Sequence, residues 1–180
     1  MNRKITRRNK IIITFGLIAL LLIASGIMLY RATVVDNDPI PTSIRSRLTF
    51  SPFVIPMNTT KYTTSNYVFA IPEGAVDTLS YTITSKDGQT ITLSEYTQPQ
   101  QFNDIPDYKN QFLSNVIQQY DTVQTVSGAI NLGHLTKQHN KQVGVMIERG
   151  LLVFLNPSTD LSSSQWRSLG DQFVIQKIDN

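Results

Sequence analysis

Hydrophobic and polar positions divide this chain into two unlike parts. Residues 11–30 form an uninterrupted run without charge, and no other uncharged stretch is as long. At about 1.5 Å rise per residue, a helix of this length matches the roughly 30 Å hydrocarbon core of a bilayer. After it the pattern shortens and begins to alternate. Tyr67, Phe69 and Ile71 share one face of a predicted strand, ended by Pro72-Glu73-Gly74. Leu79, Tyr81 and Ile83 line the next, with Thr78, Ser80, Thr82 and Thr84 on its other face. Asp87-Gly88 predicts a hairpin turn of type I′, which needs positive φ at both central residues. Ile91 and Leu93 carry the return strand to Tyr96, and the threonine-rich outer face fits a sheet with one side in water.

The period then changes. Asp104 precedes Ile105-Pro106-Asp107, a capping acid, a first-turn proline and a second acid near the positive helix end. Tyr108, Phe112, Val116, Ile117 and Tyr120 follow at helical spacing and predict one apolar stripe. Strands resume around Val123, Val126, Ile130 and Leu132, and again at Val143, Val145 and Ile147. Arg149-Gly150 predicts a tight turn, and residues 151–155 are apolar on both faces, as in a central strand. A second helix is expected over residues 160–171, with Ser162 and Gln165 at capping-box spacing and Trp166, Leu169 and Phe173 on one face. Phe173-Val174-Ile175 then begins a closing strand. The order predicts the α+β class: one antiparallel sheet covered by two helices.

Charge assigns the parts. Arg3, Lys4, Arg7, Arg8 and Lys10 precede the apolar run, so residues 1–10 read as a cytoplasmic basic tail and 11–30 as a single-pass transmembrane helix. Residues 31–47 carry Asp36-Asn37-Asp38-Pro39-Ile40-Pro41 and read as a tether with a reach of about 20–25 Å. Residues 48–180 form the extracytoplasmic domain. Ala24-Ser25-Gly26 offers a signal-peptidase site. However, the apolar run continues through Tyr30, beyond the roughly 7–15 residues of a cleaved signal, and favours a retained signal-anchor. Tyr30 and Arg31 suit the outer interface. The apolar run holds no acid, which excludes a prepilin, and the chain has no cysteine, which excludes a lipoprotein and disulfides. The net charge is +3, yet from residue 45 onward ten Lys/Arg face eleven Asp/Glu. The basicity therefore belongs to topology, and no clustered basic face points to nucleic acid.

Two stretches carry a family resemblance. Tyr67-Val68-Phe69-Ala70-Ile71-Pro72 looks like the opening strand of the PsbP-like family of exported α/β/α sandwiches. The close is similar too: residues 151–155, then Ser162-Ser163-Ser164-Gln165-Trp166, Leu169 and Gln172-Phe173-Val174-Ile175. The chain departs from that pattern at Glu73-Gly74-Ala75, where the family carries a tryptophan, and at the polar stretch 133–142. The resemblance implies the fold and no particular activity. Lipoprotein-carrier-like domains, whose curved sheets hold apolar ligands, share the outline.

Chemistry-bearing residues do not assemble into a motif. His134 and His139 are the only histidines, too few for a zinc site, and read with Lys137 and Lys141 as a solvated loop. Asp104 and Asp107 resemble paired carboxylates but read as helix caps, and Glu73, Glu95 and Glu148 are dispersed. Ser127-Gly128 is no nucleophile elbow, Trp166 sits in core register, and Asn58-Thr59-Thr60 matters only in a host that glycosylates. No catalytic, cofactor or metal residue is assigned. The expectation is a membrane-anchored binding or accessory domain, held to the lipid bilayer by residues 11–30, that meets a membrane-complex protein or envelope component. The alternatives are a pocket for a small apolar ligand lined by Tyr67, Phe69, Tyr81, Phe112 and Phe154, and a cryptic hydrolase built on His134, His139 and an acid.

Overall fold

A computed structural model of the chain describes residues 38–71, 76–136 and 138–178, the side chains of 138–140 excepted. The basic tail and the apolar run 11–30 lie outside the described residues, as do Glu73 and Lys137. Among the described residues no helix is long and apolar enough to cross a membrane.

The protein is α+β, with a mainly antiparallel sheet and few helices. Its compact unit is Asp38–Asn180. Ile40 is buried, Asp38 pairs with Arg45 at 2.6 Å, and a short helix α1 (Thr42–Arg45) follows, so part of the stretch read as tether packs into the unit. The strands are β1 (Phe53–Val54), β2 (Tyr62–Ala70), β3 (Thr78–Ser85), β4 (Thr90–Thr97), β5 (Ile117–Thr125), β6 (Gly128–Leu135), β7 (Gln138–Glu148), β8 (Leu151–Pro157) and β9 (Val174–Ile175). Seven form one sheet in the order β2-β3-β4-β8-β7-β6-β5. β8 is its central strand and is covered on both faces, as its continuous apolar run requires.

The remaining helices are α2 (Gln101–Asp104), α3 (Tyr108–Val116) and α4 (Ser163–Gly170). On one face of the sheet Leu79, Tyr81, Ile83, Ile91, Leu93, Val153 and Leu155 meet Trp166 and Leu169 of α4, with Phe53 and Val54 of β1 in the same cluster. On the other, Val143, Val145, Ile147 and Leu152 meet Leu113 and the partly buried Phe102 and Phe112. That second cluster reaches β4 only at Tyr96 and includes nothing from β2 or β3.

Several expectations need correction. The first helix is two: Asp104 ends α2, and Asp107 holds the position before α3 at φ 61 with no side-chain cap bond. Pro106 is the cause, because it disfavours helical geometry in the residue before it, and Ile105 is extended at φ −113, ψ 117. The helix stops at Val116, so Ile117 and Tyr120 belong to β5. Residues 133–135 and 138–142 belong to the paired strands β6 and β7 rather than to a loop, with His134 opposite Gln142. At Asp87-Gly88 only Gly88 has positive φ, and the turn closes on a bulged glycine. The primed pair is Arg149-Gly150, at φ 52 and 79, which lets Glu148 face Leu151 directly. Val126 is at a turn and 81% exposed, Ile71 lies past the end of β2 and is exposed, and β9 pairs with β1 outside the main sheet.

Candidate functional site

β-strand parity decides where each chemical group points. Glu95 follows Ile91 and Leu93 on the inward face of β4 and is completely buried. Its Oε2 accepts the Phe53 backbone N–H at 2.9 Å, and its Oε1 has no hydrogen-bond partner among the described residues. Burial holds the carboxyl well above the usual carboxylate range, the Phe53 bond opposing only in part. The Tyr81 hydroxyl donates to the Phe53 carbonyl at 3.0 Å, so one acid and one phenol together hold β1 against the sheet. Tyr67 stacks on Tyr81 at 4.8 Å. Burial, offset in part by Thr64, pushes the Tyr67 phenol up to about 12. Glu95 and Tyr81 are sealed from solvent and hold structure together, with Tyr67 half-buried at the margin.

Gln142 is the second buried polar centre. Its Oε1 accepts from Leu161 N at 2.7 Å and Trp166 Nε1 at 3.1 Å, while its Nε2 donates to Leu161 O and the Tyr120 hydroxyl. One amide thus ties the entry of α4 to β7. Neither Glu95 nor Gln142 stood out in sequence. Glu95 is legible from its parity with Ile91 and Leu93, whereas the partners of Gln142 come together only when α4 docks.

The groups singled out in sequence are dispersed. His134 is half-buried on β6, its ring 5.3 Å from that of Tyr120 and its Nδ1 without a hydrogen bond to any described residue. The side chain of His139 lies outside the described residues. Among the described residues no three of His, Cys, Asp or Glu gather as a metal site would need. The Ser127 hydroxyl is buried, within 2.9 Å of Gly170 O and 2.7 Å of Phe173 O, where it fastens the end of α4. Glu148 accepts Ala129 N at 3.2 Å, and Trp166 is fully buried. Asp104 and Asp107 are exposed. Tyr67, Phe69 and Tyr81 pack on one face of the sheet, and Phe112 and Phe154 on the other.

Depressions of about 230–400 Å³ mark the described surface, and two of them bear on the chemistry. One of about 320 Å³ is lined by Lys61, Lys86, Gln89, Gln165 and Ser168 among others, and several of its side chains are already bonded: Gln165 to Gln89, Gln89 to Thr159, Lys61 to Ser168. The other, about 280 Å³, is lined by Thr90, Thr92, Lys141, Asn156, Ser158 and Asp160, with Gln142 and Pro157. Its floor is set by backbone: Ser158 N donates to Thr90 O at 2.8 Å, Thr90 N donates to Ser158 Oγ at 3.3 Å, and Thr92 stands opposite Asn156 in register. No hydrogen bond or ion pair to another described residue engages the side chains of Thr92, Lys141, Asn156 or Asp160. Unspent donors and acceptors converging on one depression make it the candidate site.

No family model matches this chain, and comparison with curated proteins and with solved structures finds no match either.

Proposed function

We propose that this protein is a single-pass membrane protein whose extracytoplasmic domain is a binding or accessory module for a protein or envelope component near the bilayer. The observation that carries the reading is the 20-residue uncharged run at 11–30 behind five cations, joined to a unit whose charges nearly cancel. Two features of the folded unit support a non-catalytic role. Its buried acid is sealed under β1, and among the described residues no three of His, Asp or Glu gather. The order of strands, helix, strands, helix and short strand also supports the finer fold reading, a sandwich of the PsbP-like kind.

The test is a deletion of residues 11–30 expressed beside the full chain. The full chain is expected in the carbonate-resistant membrane fraction, cleaved by added protease from the outside only, and cross-linked in native membranes to a neighbouring envelope component. The deletion variant is expected in the soluble fraction with its circular dichroism retained. A full chain released by carbonate, or a protease-accessible amino terminus on the outer side, would refute the topology.

A further inference from the structure

Among the described residues, the second face of the sheet is covered over β7 and β8 and at Tyr96 of β4, no apolar cluster covers the rest of β4 or β2 and β3, and what lies there is mostly hydroxyls, with the exposed Val68 at one edge. Cross-strand register arranges them in rows: Thr63-Thr84-Thr90, then Ser65-Thr82-Thr92-Asn156, then Val68-Ser80-Ser94. Neighbouring strands stand about 4.8 Å apart, and residues on one face recur at about 6.8 Å along each strand. None of these side chains is charged, although charged residues are spread over the rest of the unit. The bare face runs without interruption into the 280 Å³ depression, where Thr90, Thr92 and Asn156 are joined by Ser158, Lys141 and Asp160.

The chemistry narrows the occupant. A nucleic acid would require a basic face, and one lysine beside one aspartate is not one. A stable protein interface is centred on buried aromatic, methionine or arginine anchors, and the depression has none. An anionic polymer gains no net attraction from a site whose two charges oppose. An uncharged polyhydroxy polymer meets every feature: ring hydroxyls pair with amide, carboxylate, hydroxyl and ammonium groups, and its C–H faces lie on threonine methyls. The geometry points to a binding site for an uncharged polysaccharide strand, one sugar unit seated among Thr92, Asn156 and Asp160 and its neighbours running over the hydroxyl rows of β3 and β4. This deepens the proposed binding role and rests on it for the polymer's location outside the membrane.

Affinity electrophoresis of the full chain in detergent micelles tests it, in native gels cast with hydroxyethyl cellulose, dextran or glycol chitin, and with polygalacturonate for comparison. Retardation is expected in at least one uncharged glycan gel and should persist at high salt, since no ion pair carries it. Asn156→Ala and Thr92→Ala should each weaken it about fivefold, the loss of roughly one hydrogen bond. Lys61→Ala, in the other depression, should leave it unchanged. Should Asn156→Ala fail to fold, Thr92→Lys still reports, because Thr92 is exposed and its replacement disturbs no core contact. Three results each overturn the site: no retardation in all three uncharged gels, retardation untouched by Thr92→Lys, or retardation only by polygalacturonate that salt abolishes. Membrane retention is read from the deletion of residues 11–30 alone, so its failure is distinguishable from failure here.

Discussion

At Glu95 an acid occupies a position where Ile91 and Leu93, on the same strand face, place hydrocarbon. Its proton is held more tightly in the folded chain than in the unfolded one, where the ordinary value is 4.5. Folded protein therefore binds more protons than unfolded above that pH. The stability from this group is fully present below about pH 4.5 and is lost as pH rises through the higher folded value. Urea melts at stepped pH should show a midpoint that falls from mild acid towards neutral, and Glu95→Gln should flatten that slope. A slope unchanged by the substitution would assign it to other groups. Gly144 makes a different demand. A Cβ there would lie 2.9 Å from Trp166 and from Ile130, both buried. Gly144→Ala should cost about 1–3 kcal/mol through overpacking, read as a lower denaturant midpoint at unchanged slope. The Glu95 position was readable from strand parity. The Gly144 requirement was not, because the ring that fills its missing side chain arrives 22 residues later from another element.

Elements followed local signals where nothing contradicted them. The capping box of α4 formed as its spacing predicts: Gln165 N donates to Ser162 Oγ at 3.3 Å and Ser162 N to Gln165 Oε1 at 2.9 Å. Ser162→Ala should cost about 1 kcal/mol and speed hydrogen exchange at the Gln165 amide, while exchange in β8 keeps its rate if the loss stays local. The stretch 104–120 went otherwise, although its apolar spacing is helical. Pro106 broke it at the start, and pairing with β6 captured Ile117 at the end, leaving Tyr120 in β5 at the irregularity between Gln119 and Asp121. Ladder bonds to a neighbour outweigh a weak helical preference. The polar stretch 133–142 likewise looked like loop because hydropathy does not register a hairpin whose strand faces are themselves polar.

On the scale of the whole molecule, the segment 1–30 and its charge asymmetry carry the topological reading, and deletion of residues 11–30 should move the protein to the soluble fraction without loss of its circular dichroism. The class of the fold, its central strand β8 and its second helix all follow from periodicity, since burial on one face or two imposes a pattern any reader of the chain can see. Long-range partnership lies beyond that pattern. That β1 pairs with β9, that α4 fits the gap left by Gly144, and that α2 and α3 stop short of β2 and β3 all depend on contacts between residues far apart in sequence. The threonines of β3 and β4 were visible from the start as a polar face. Among the described residues α2 and α3 cluster with β7 and β8 and with none of β2 or β3, a choice of neighbour that periodicity within each strand does not encode.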